Sequence, residues 1–282
     1  MTRPLALAAL LTWTTTVAAQ TGDATLRGQS EQTYKRLVEA SRKLAEGKSA
    51  ESADAFQRIL DEAGDDLVSE NGTEFRPARR VAQTFLTRMP ADVLKSYRVR
   101  SDEPARKLLE AGKKSRDPRP LRELLDRYFA SRPAEEALLL LGELAFERGE
   151  FRTAEGYWRR LLPPSDAAEP AFPDPKTDPA AVRAKVILAI IFQGEVERTR
   201  LELEQFEKDH PKAAGRLAGQ DGPYTQTLRS LLDRPPQQRR PAMASGPRWA
   251  GRRLATGGRR PDCRGCGGRG RPGRHRYRRT TA

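Results

Sequence analysis

The chain has 282 residues, of which 32% are charged and 6% are aromatic, and its formal net charge is +14 at pH 7. The two cysteines, Cys263 and Cys266, lie near the C-terminus, which excludes a disulfide framework for the body of the chain. From Pro235 onward there are fourteen arginines and one acidic residue, a net of +13, which leaves +1 for residues 1 to 234. The high isoelectric point therefore says nothing about the partners of that body.

The first nineteen residues have the pattern of a secretory signal peptide. Arg3 supplies the positive charge, an apolar core runs from Leu5 to Leu11, and Val17 and Ala19 are the small residues expected before a cleavage site. This core is too short to span a bilayer, and no later stretch is apolar enough to do so. We expect cleavage after Ala19 and an exported, periplasmic or extracellular chain. The alternative is an uncleaved apolar terminus or a buried helix.

A linker over residues 20 to 30 precedes a predicted helical hairpin over residues 31 to 63. Two apolar stripes with helical spacing stand on either side of Gly47, a residue that ends helices. The stripes consist of Leu37, Ala40 and Leu44, then Ala53, Phe56, Ile59 and Leu60.

The helical pattern is weaker between residues 64 and 133. We expect one helix from Arg79 to Arg88 and a second beginning near Pro90, because proline is favoured in the first turn of a helix. Two further helices are expected over Ala105 to Ala111 and Leu121 to Phe129. The spacing does not determine how many repeats this segment holds.

The clearest pattern is a pair of amphipathic helices over residues 134 to 162. The first stripe contains Leu138, Leu141, Ala145 and Phe146; the second contains Phe151, Ala154, Trp158 and Leu161. Gly149 separates them and favours the positive φ that ends a helix. Because neither stripe is buried within one hairpin, the unit needs neighbours on both sides.

This hairpin resembles one tetratricopeptide repeat, a helix–turn–helix unit of 34 residues. With Glu135 as position one, several large, small and turn positions of the motif are occupied by residues of the expected type, whereas the family's Trp and Tyr are here Leu138 and Ala145. The resemblance implies an all-α fold, a TPR-like right-handed superhelix over residues 31 to 233. The alternative is an ordinary helical hairpin in a bundle without repeats. The signature residues, including those of the following repeat, are Leu138, Leu141, Gly142, Gly149, Phe151, Ala154, Trp158, Gly194, Phe206 and Pro211.

The following repeat is displaced by an insertion. Gly149 and Gly194 are 45 residues apart, and the extra residues fall in residues 163 to 179, which contain six prolines. Proline lacks an amide donor and restricts φ, so we expect residues 163 to 179, here called the strap, to be extended on the surface. Ile187 stands where the family has a small residue, so the close helix crossing is not expected there.

Residues 234 to 282 are rich in arginine, glycine and proline and lack apolar periodicity, so we expect a disordered tail. Such a tail binds nucleic acid through phosphate contacts and stacking, which makes a nucleic-acid-binding protein the alternative function. Nucleic acid is not the expected partner of an exported chain. The tail also contains no lysine, and we interpret it as a possible out-of-frame translation after a lost coding frame near Pro235.

A second resemblance covers roughly residues 31 to 233. The order of four segments is similar to the N-terminal region of large exported bacterial proteins in which tetratricopeptide-like repeats precede a PQQ-binding-like β-propeller. No strand pattern follows Pro235, so the propeller and its ligand sites are not expected here. The segments are GDDLV at 64 to 68, WRRLLPP at 158 to 164, FPDP at 172 to 175 and AVRAKVILAIIFQGE at 181 to 195.

The sequence offers no candidate for catalysis or for a cofactor. The body contains one histidine, His210, at the expected end of a helix, where a cation is favoured by the helix dipole. Cys263, Cys266 and His275 make three potential ligands, whereas structural zinc takes four. We therefore predict neither an enzyme nor a metal site.

The resemblance instead implies an exported scaffold that binds a protein or peptide partner in the cell envelope. By the family's convention the first helix of each repeat lines a groove, acidic at one end and apolar at the other, suited to a basic and apolar segment. The alternative is that the glutamates form a solvated face and the apolar residues pack under the strap. The predicted groove residues are Glu136, Leu139, Glu143, Phe146, Glu147, Ala181, Ala184, Leu188, Ile191 and Phe192.

Overall fold

A computed structural model of the chain describes residues 30–69, 73–164 and 169–234. The predicted signal peptide with its cleavage after Ala19, the potential ligands Cys263, Cys266 and His275, and nearly all of the predicted tail lie outside the described residues. Those predictions therefore stay predictions.

The described residues are mostly helical, which confirms the expectation of a helical protein, and four short strands are added. The helices are α1 (Glu31–Ala45), α2 (Ser49–Glu62), α3 (Ala78–Thr87), α4 (Ala91–Ser115), α5 (Pro118–Tyr128), α6 (Pro133–Glu147), α7 (Phe151–Arg159), α8 (Pro179–Gln193), α9 (Val196–Asp209) and α10 (Tyr224–Leu232). The strands form two antiparallel hairpins, β1 (Leu67–Val68) with β2 (Arg76–Pro77) and β3 (Ala214–Leu217) with β4 (Gln220–Pro223).

The β3–β4 hairpin was not predicted, because its strands lack the β-branched and aromatic residues that mark strands in a sequence. Its turn explains why it forms. Ala218 and Gly219 both have positive φ, 51° and 79°, as the tight turn of a two-residue hairpin requires. Tyr224 of α10 then packs across Gly215 of β3, where a side chain on Gly215 would meet the phenol oxygen at 2.2 Å.

Helix α4 is longer than predicted. We expected separate helices near Pro90 and over Ala105 to Ala111, but one helix runs through Pro104. A proline inside a helix removes one hydrogen bond. The helix continues because Tyr97, Ala105 and Leu109 on either side of the proline are buried in the core.

Helices that follow each other in the chain pack in antiparallel pairs, α1 against α2, α4 against α5, α6 against α7, and α8 against α9. Each pair leaves a face that is covered by the next pair, as when α7 packs against α8. The apolar core therefore runs along the chain in three clusters, one centred on α1 to α3, one on α4 to α8 and one on α8 to α10.

The α6–α7 pair crosses closely at Gly142. The Trp158 ring from α7 lies directly over this glycine, and its indole nitrogen donates to the carbonyl of Leu139 at 3.4 Å. A Cβ atom on Gly142 would lie 2.1 Å from that nitrogen. At this crossing the large ring of Trp158 on α7 occupies the space that Gly142 on α6 leaves free by having no side chain.

The described residues of the strap before α8, 163–164 and 169–178, form no helix. Its first anchor is Phe172, whose side chain is buried edge-on against Phe129 with ring centroids 6.4 Å apart. The amide of Phe172 donates to the carbonyl of Arg160 at the end of α7, at 2.7 Å. At Phe172 the strap is therefore packed into the core and not merely laid over the surface.

The second anchor of the strap is ionic. Asp174, with φ of 49°, accepts two hydrogen bonds from the buried guanidinium of Arg98 at 3.1 and 2.7 Å and one from Arg132 at 2.7 Å. Burial would raise the pKa of Asp174, but hydrogen bonding to Arg98 and the charges of Arg98 and Arg132 outweigh it and lower the pKa.

The third anchor is Glu135 at the start of α6, a largely buried carboxylate. One of its oxygens accepts the amide of Lys176 at 2.8 Å and both the amide and the hydroxyl of Thr177, at 2.6 and 2.7 Å. Asp178 then caps α8 by accepting from the amide of Ala180 at 3.0 Å. In the last residues of the strap, side-chain carboxylates thus accept the backbone N–H groups that a helix or sheet would pair with carbonyl oxygens. These contacts lead directly into α8.

We predict that Gly142→Ala destabilises the full chain by about 1–3 kcal/mol, because the new methyl group overlaps the Trp158 ring. Gly156→Ala in α7 is the matched control. Its methyl group would meet no heavy atom within 4 Å in the part of the chain that the structure describes, so it should stabilise by about 0.5–1 kcal/mol through helix propensity. Urea unfolding followed by circular dichroism measures both. Equal effects of the two substitutions would contradict the tight crossing.

We predict that Asp174→Asn lowers the free energy of unfolding by about 1.5–3 kcal/mol at pH 7, because it weakens charge-assisted hydrogen bonds to a buried arginine. The lowered pKa means that the native carboxylate stabilises the fold above about pH 4 and loses that contribution as the pH falls below this value. The variant and the native chain should therefore converge in stability on acidification.

The matched control for that prediction is Asp221→Asn on the exposed strand β4. This change should alter the unfolding free energy by less than about 0.5 kcal/mol at any pH. A stability difference between the Asp174→Asn variant and the native chain that does not shrink in acid would refute the ionic anchor.

Candidate partner-binding surface

The acidic end of the predicted groove lies on the exposed face of α6, and its charges are balanced. Glu136 pairs with Lys113 at 2.6 Å, Glu143 with Lys185 at 2.5 Å and Glu147 with Arg116 at 2.6 Å. These cations come from the end of α4 on one side and from α8 on the other. The groove that is acidic at one end stays a prediction, and the alternative of a solvated glutamate face agrees with these exposed, paired side chains.

The apolar end of the predicted groove is mostly core. Ala184, Leu188 and Ile191 are buried, while Ala181 and Phe192 are partly buried. They pack with residues of α9, β3 and α10, including Leu217 and Leu228. The prediction that Ala184, Leu188 and Ile191 line a groove is therefore wrong, because a helix that is apolar on nearly all sides is buried, while for Ala181 and Phe192 it stays a prediction.

Aromatic side chains join the turns of neighbouring hairpins. Phe146 contacts Phe151 at a centroid distance of 5.1 Å and Phe192 at 5.2 Å, and Phe151 lies 5.2 Å from Phe192. All three rings are partly exposed, as is Leu139 on the same helix as Phe146. The groove positions Leu139, Phe146 and Phe192 therefore serve packing within and between hairpins.

The remaining signature residues occupy positions consistent with a helical hairpin. Leu138, Leu141, Ala154, Trp158 and Phe206 are buried in the core. Gly149 and Gly194 have φ of 78° and 82° at helix ends, and Pro211 follows His210, the C-terminal cap of α9.

A buried carboxylate that the sequence analysis did not single out links α7 to the next pair. Glu155 accepts hydrogen bonds from Arg159 and Gln193, both at 2.7 Å, and from Arg198. Burial would raise the pKa of Glu155, but these hydrogen bonds and charges lower it. A glutamate on a helix is expected at the surface, so the burial of Glu155 was not predictable from the sequence. The one sequence signal for its ion pair was the spacing of four residues to Arg159.

A further cleft with apolar residues in its lining lies between α1 and α3, and we call it the α1–α3 cleft. It has a volume of about 310 Å³, and Val38 at its edge is 47% exposed. Sequence periodicity missed it because Tyr34 and Val38 lie off the buried stripe of α1, one helical turn apart. Its lining consists of Tyr34, Leu37, Val38, Ser41, Val68, Ser69, Glu74, Arg76, Arg80, Val81, Thr84, Phe85 and Arg88.

The walls of this cleft are fixed by the core beneath them. Phe85 of α3 stacks on the fully buried Phe56 with centroids 4.9 Å apart and planes 9° apart. Leu37 and Val68 in the lining are buried. A ligand therefore meets a preformed apolar surface and need not order it.

Within the described ranges, no group of three or more histidine, cysteine, aspartate or glutamate residues is arranged to hold a metal ion. Among the same residues, no helix is both long enough and apolar enough to cross a membrane. Comparison with protein-family models, with curated proteins and with solved structures finds no match to this chain.

We predict that Glu143→Lys destabilises the chain by about 0.5–1 kcal/mol and that the exchanged pair Glu143→Lys with Lys185→Glu recovers most of this loss, because the two side chains compensate each other. Glu197→Lys, in a side chain that is 83% exposed and pairs with Arg200 one turn away, is the control and should have a smaller effect. Thermal unfolding of the native chain, the two single variants Glu143→Lys and Lys185→Glu, the double variant and the Glu197→Lys control measures the coupling. Additive effects of the two changes would disprove the pairing.

Proposed function

We propose that this chain is an exported helical-repeat scaffold that binds a segment of a protein partner in the cell envelope, through the α1–α3 cleft. The repeats are of the tetratricopeptide type in this proposal, and the chain is a truncated relative of proteins in which such repeats precede a propeller. The observation that carries the binding proposal is an open, preformed apolar cleft with an exposed valine at its edge. Apolar clefts between helices are common docking sites for peptide segments.

The chemistry of the partner follows from the charges around the cleft. Arg76, Arg80 and Arg88 line it, against the single acidic side chain Glu74. Arg76 pairs with Glu74 at 3.3 Å and Arg80 with Glu169 of the strap at 2.7 Å, and the three arginines outnumber these two carboxylates. The proposed partner segment therefore presents an apolar side chain to Val38 and Phe85 and acidic residues to the rim.

This proposal replaces the sequence-based groove on α6 and α8 and keeps the class of function. On the face of α6 the glutamates already have cationic partners, so a basic peptide would have to displace them. In the α1–α3 cleft the apolar contact needs no such exchange, and only the acidic residues of the partner would compete with Glu74 and Glu169 for Arg76 and Arg80. The sign of the expected partner changes accordingly, from basic to acidic.

The test is selection of a displayed random peptide library on the full chain, followed by binding measurements with the enriched peptides. We expect apolar residues flanked by aspartate or glutamate, and at least a tenfold loss of affinity in Val38→Asp, about 1.4 kcal/mol. Leu201→Asp on α9, where the leucine is 68% exposed, is the matched control and should bind as the native chain does. Val38→Ser gives a milder change. Equal loss in the valine and leucine variants, or no enriched peptide, would reject the cleft.

A further inference from the structure

A cavity of about 300 Å³ lies between α2, α4 and α5, and all three helices fall wholly within the described ranges. Its volume is at the lower end of the range for ligand pockets, about 300–1,000 Å³, which suits a ligand of one small ring. The lining combines two tyrosines with serine, glutamine, aspartate and arginine side chains. It therefore offers both apolar surface and hydrogen-bonding groups.

One polar group of this lining is buried without a partner. Ser101 on α4 is 4% exposed, and its hydroxyl oxygen makes no hydrogen bond to any of the described residues. The phenol of Tyr97, one turn earlier on α4, is near this hydroxyl but not in hydrogen-bonding geometry with it. A buried hydroxyl without a hydrogen bond destabilises the folded state, so a ligand that pairs with Ser101 removes that cost.

The polar neighbours of Ser101 are already hydrogen-bonded to each other. The Tyr97 hydroxyl donates to the side-chain oxygen of Gln57 at 2.7 Å. The Gln57 amide nitrogen donates in turn to the carbonyl of Arg127 at 3.1 Å and to the carboxylate of Asp61 at 3.2 Å. Burial raises the pKa of Tyr97, and the nearby Ser101 hydroxyl offsets this only in part, so the phenol keeps the proton that it donates. That proton is directed at Gln57 and not at Ser101.

Pro104, which also lines the cavity, adds a second acceptor. A proline inside a helix has no amide hydrogen, so the carbonyl of Arg100, four residues earlier, does not receive the usual helical hydrogen bond. Ser101 and Pro104 are three residues apart and share one face of α4. A hydroxyl that donates and accepts and a carbonyl that accepts therefore lie within one turn of this helix.

The outer part of the cavity carries charges of both signs and an aromatic ring. Arg100 donates to Asp54 across the gap between α4 and α2, and Arg58 adds a second cation to the lining. Tyr128 of α5 borders the same space and is partly exposed. A single ion does not match a lining with both signs, and a purely apolar ligand would leave Ser101 unpaired.

A neutral ring with several hydroxyl groups matches this lining. Each hydroxyl group donates and accepts, as the mixed polar groups require. The C–H groups of such a ring pack on the apolar surface that a tyrosine ring offers.

We propose that this cavity binds a sugar ring. A hydroxyl group of the sugar pairs with Ser101 and with the carbonyl of Arg100, and the C–H face of the ring packs against Tyr128. The site is formed by α2, α4 and α5, so it is separate from the α1–α3 cleft and does not depend on the partner proposed for that cleft.

The test is a titration of the isotope-labelled full chain with glucose, N-acetylglucosamine or cyclohexanol, followed by amide chemical shifts. We expect saturable shifts with at least one of the two sugars, largest at the amides of α2, α4 and α5 around the cavity. Cyclohexanol, a ring with one hydroxyl group, should bind at least fivefold more weakly than that sugar. No saturable shift with either sugar would overturn the site, and equal or tighter binding of cyclohexanol would overturn the sugar assignment.

The variant Ser101→Ala separates a binding role from a structural one. Replacing a buried, unpaired hydroxyl group by hydrogen should leave the chain at least as stable as the native chain in urea unfolding. Sugar binding, in contrast, should weaken at least fivefold. Ser96→Ala on the same helix is the matched control, since its exposed hydroxyl donates to the carbonyl of Asp92 at 3.1 Å, and it should bind sugar as the native chain does.

Tyr128→Leu serves as a second variant, because it keeps an apolar side chain and removes the ring; it should also weaken sugar binding at least fivefold. Unchanged sugar binding in the Ser101→Ala chain would overturn the proposal. Lower stability of the Ser101→Ala chain would show that the hydroxyl already has a partner, such as a bound water molecule, and would overturn it as well.

Discussion

The arrangement of the helices depends on how the proline-rich strap is held in place, because its described residues before α8 lack the backbone hydrogen bonding of a helix or sheet. Charge-assisted hydrogen bonds do this where the strap meets the stack. Arg98 in α4 and Glu135 in α6 are both buried and both direct their polar groups at the strap. The strap in turn compensates them, since a buried arginine or glutamate without a partner would destabilise the fold. Helices α4, α6 and α8 are therefore joined through one connecting segment.

Ion pairs between hairpins balance the many charges of the body locally. Each helix carries many charges, yet the structure places glutamates of one helix beside lysines and arginines of the next, as at Glu143 and Lys185 or Glu155 and Arg198. These contacts align neighbouring hairpins without enlarging a thin apolar core. They also explain why the exposed surface of α6, acidic in sequence, is not an acidic surface in the folded chain.

Local features of the fold were predictable from the sequence, and long-range ones were not. The α6–α7 hairpin followed from stripe spacing, and the Gly142 position from the motif, because both depend on residues close in the chain. The burial of Leu188 depends on α10, about forty residues later, and the continuity of α4 through Pro104 depends on packing. The α1–α3 cleft was not predictable for the same reason. Val38 lies off the apolar stripe of α1, and it forms part of a cleft only because α3 packs opposite it.

The strap also bears on the order in which the chain folds. Pairing of successive helices joins residues that are near in sequence and forms early, whereas Arg98 and Asp174 are separated by 76 positions. Closing so long a loop is entropically demanding until both sides are largely structured. The strap contacts are thus expected to form late and to convert separate helical pairs into one cooperative unit. In amide hydrogen exchange, we then expect the protection of the α8 amides to depend more on whether the strap contacts are formed than on whether the helix itself is formed.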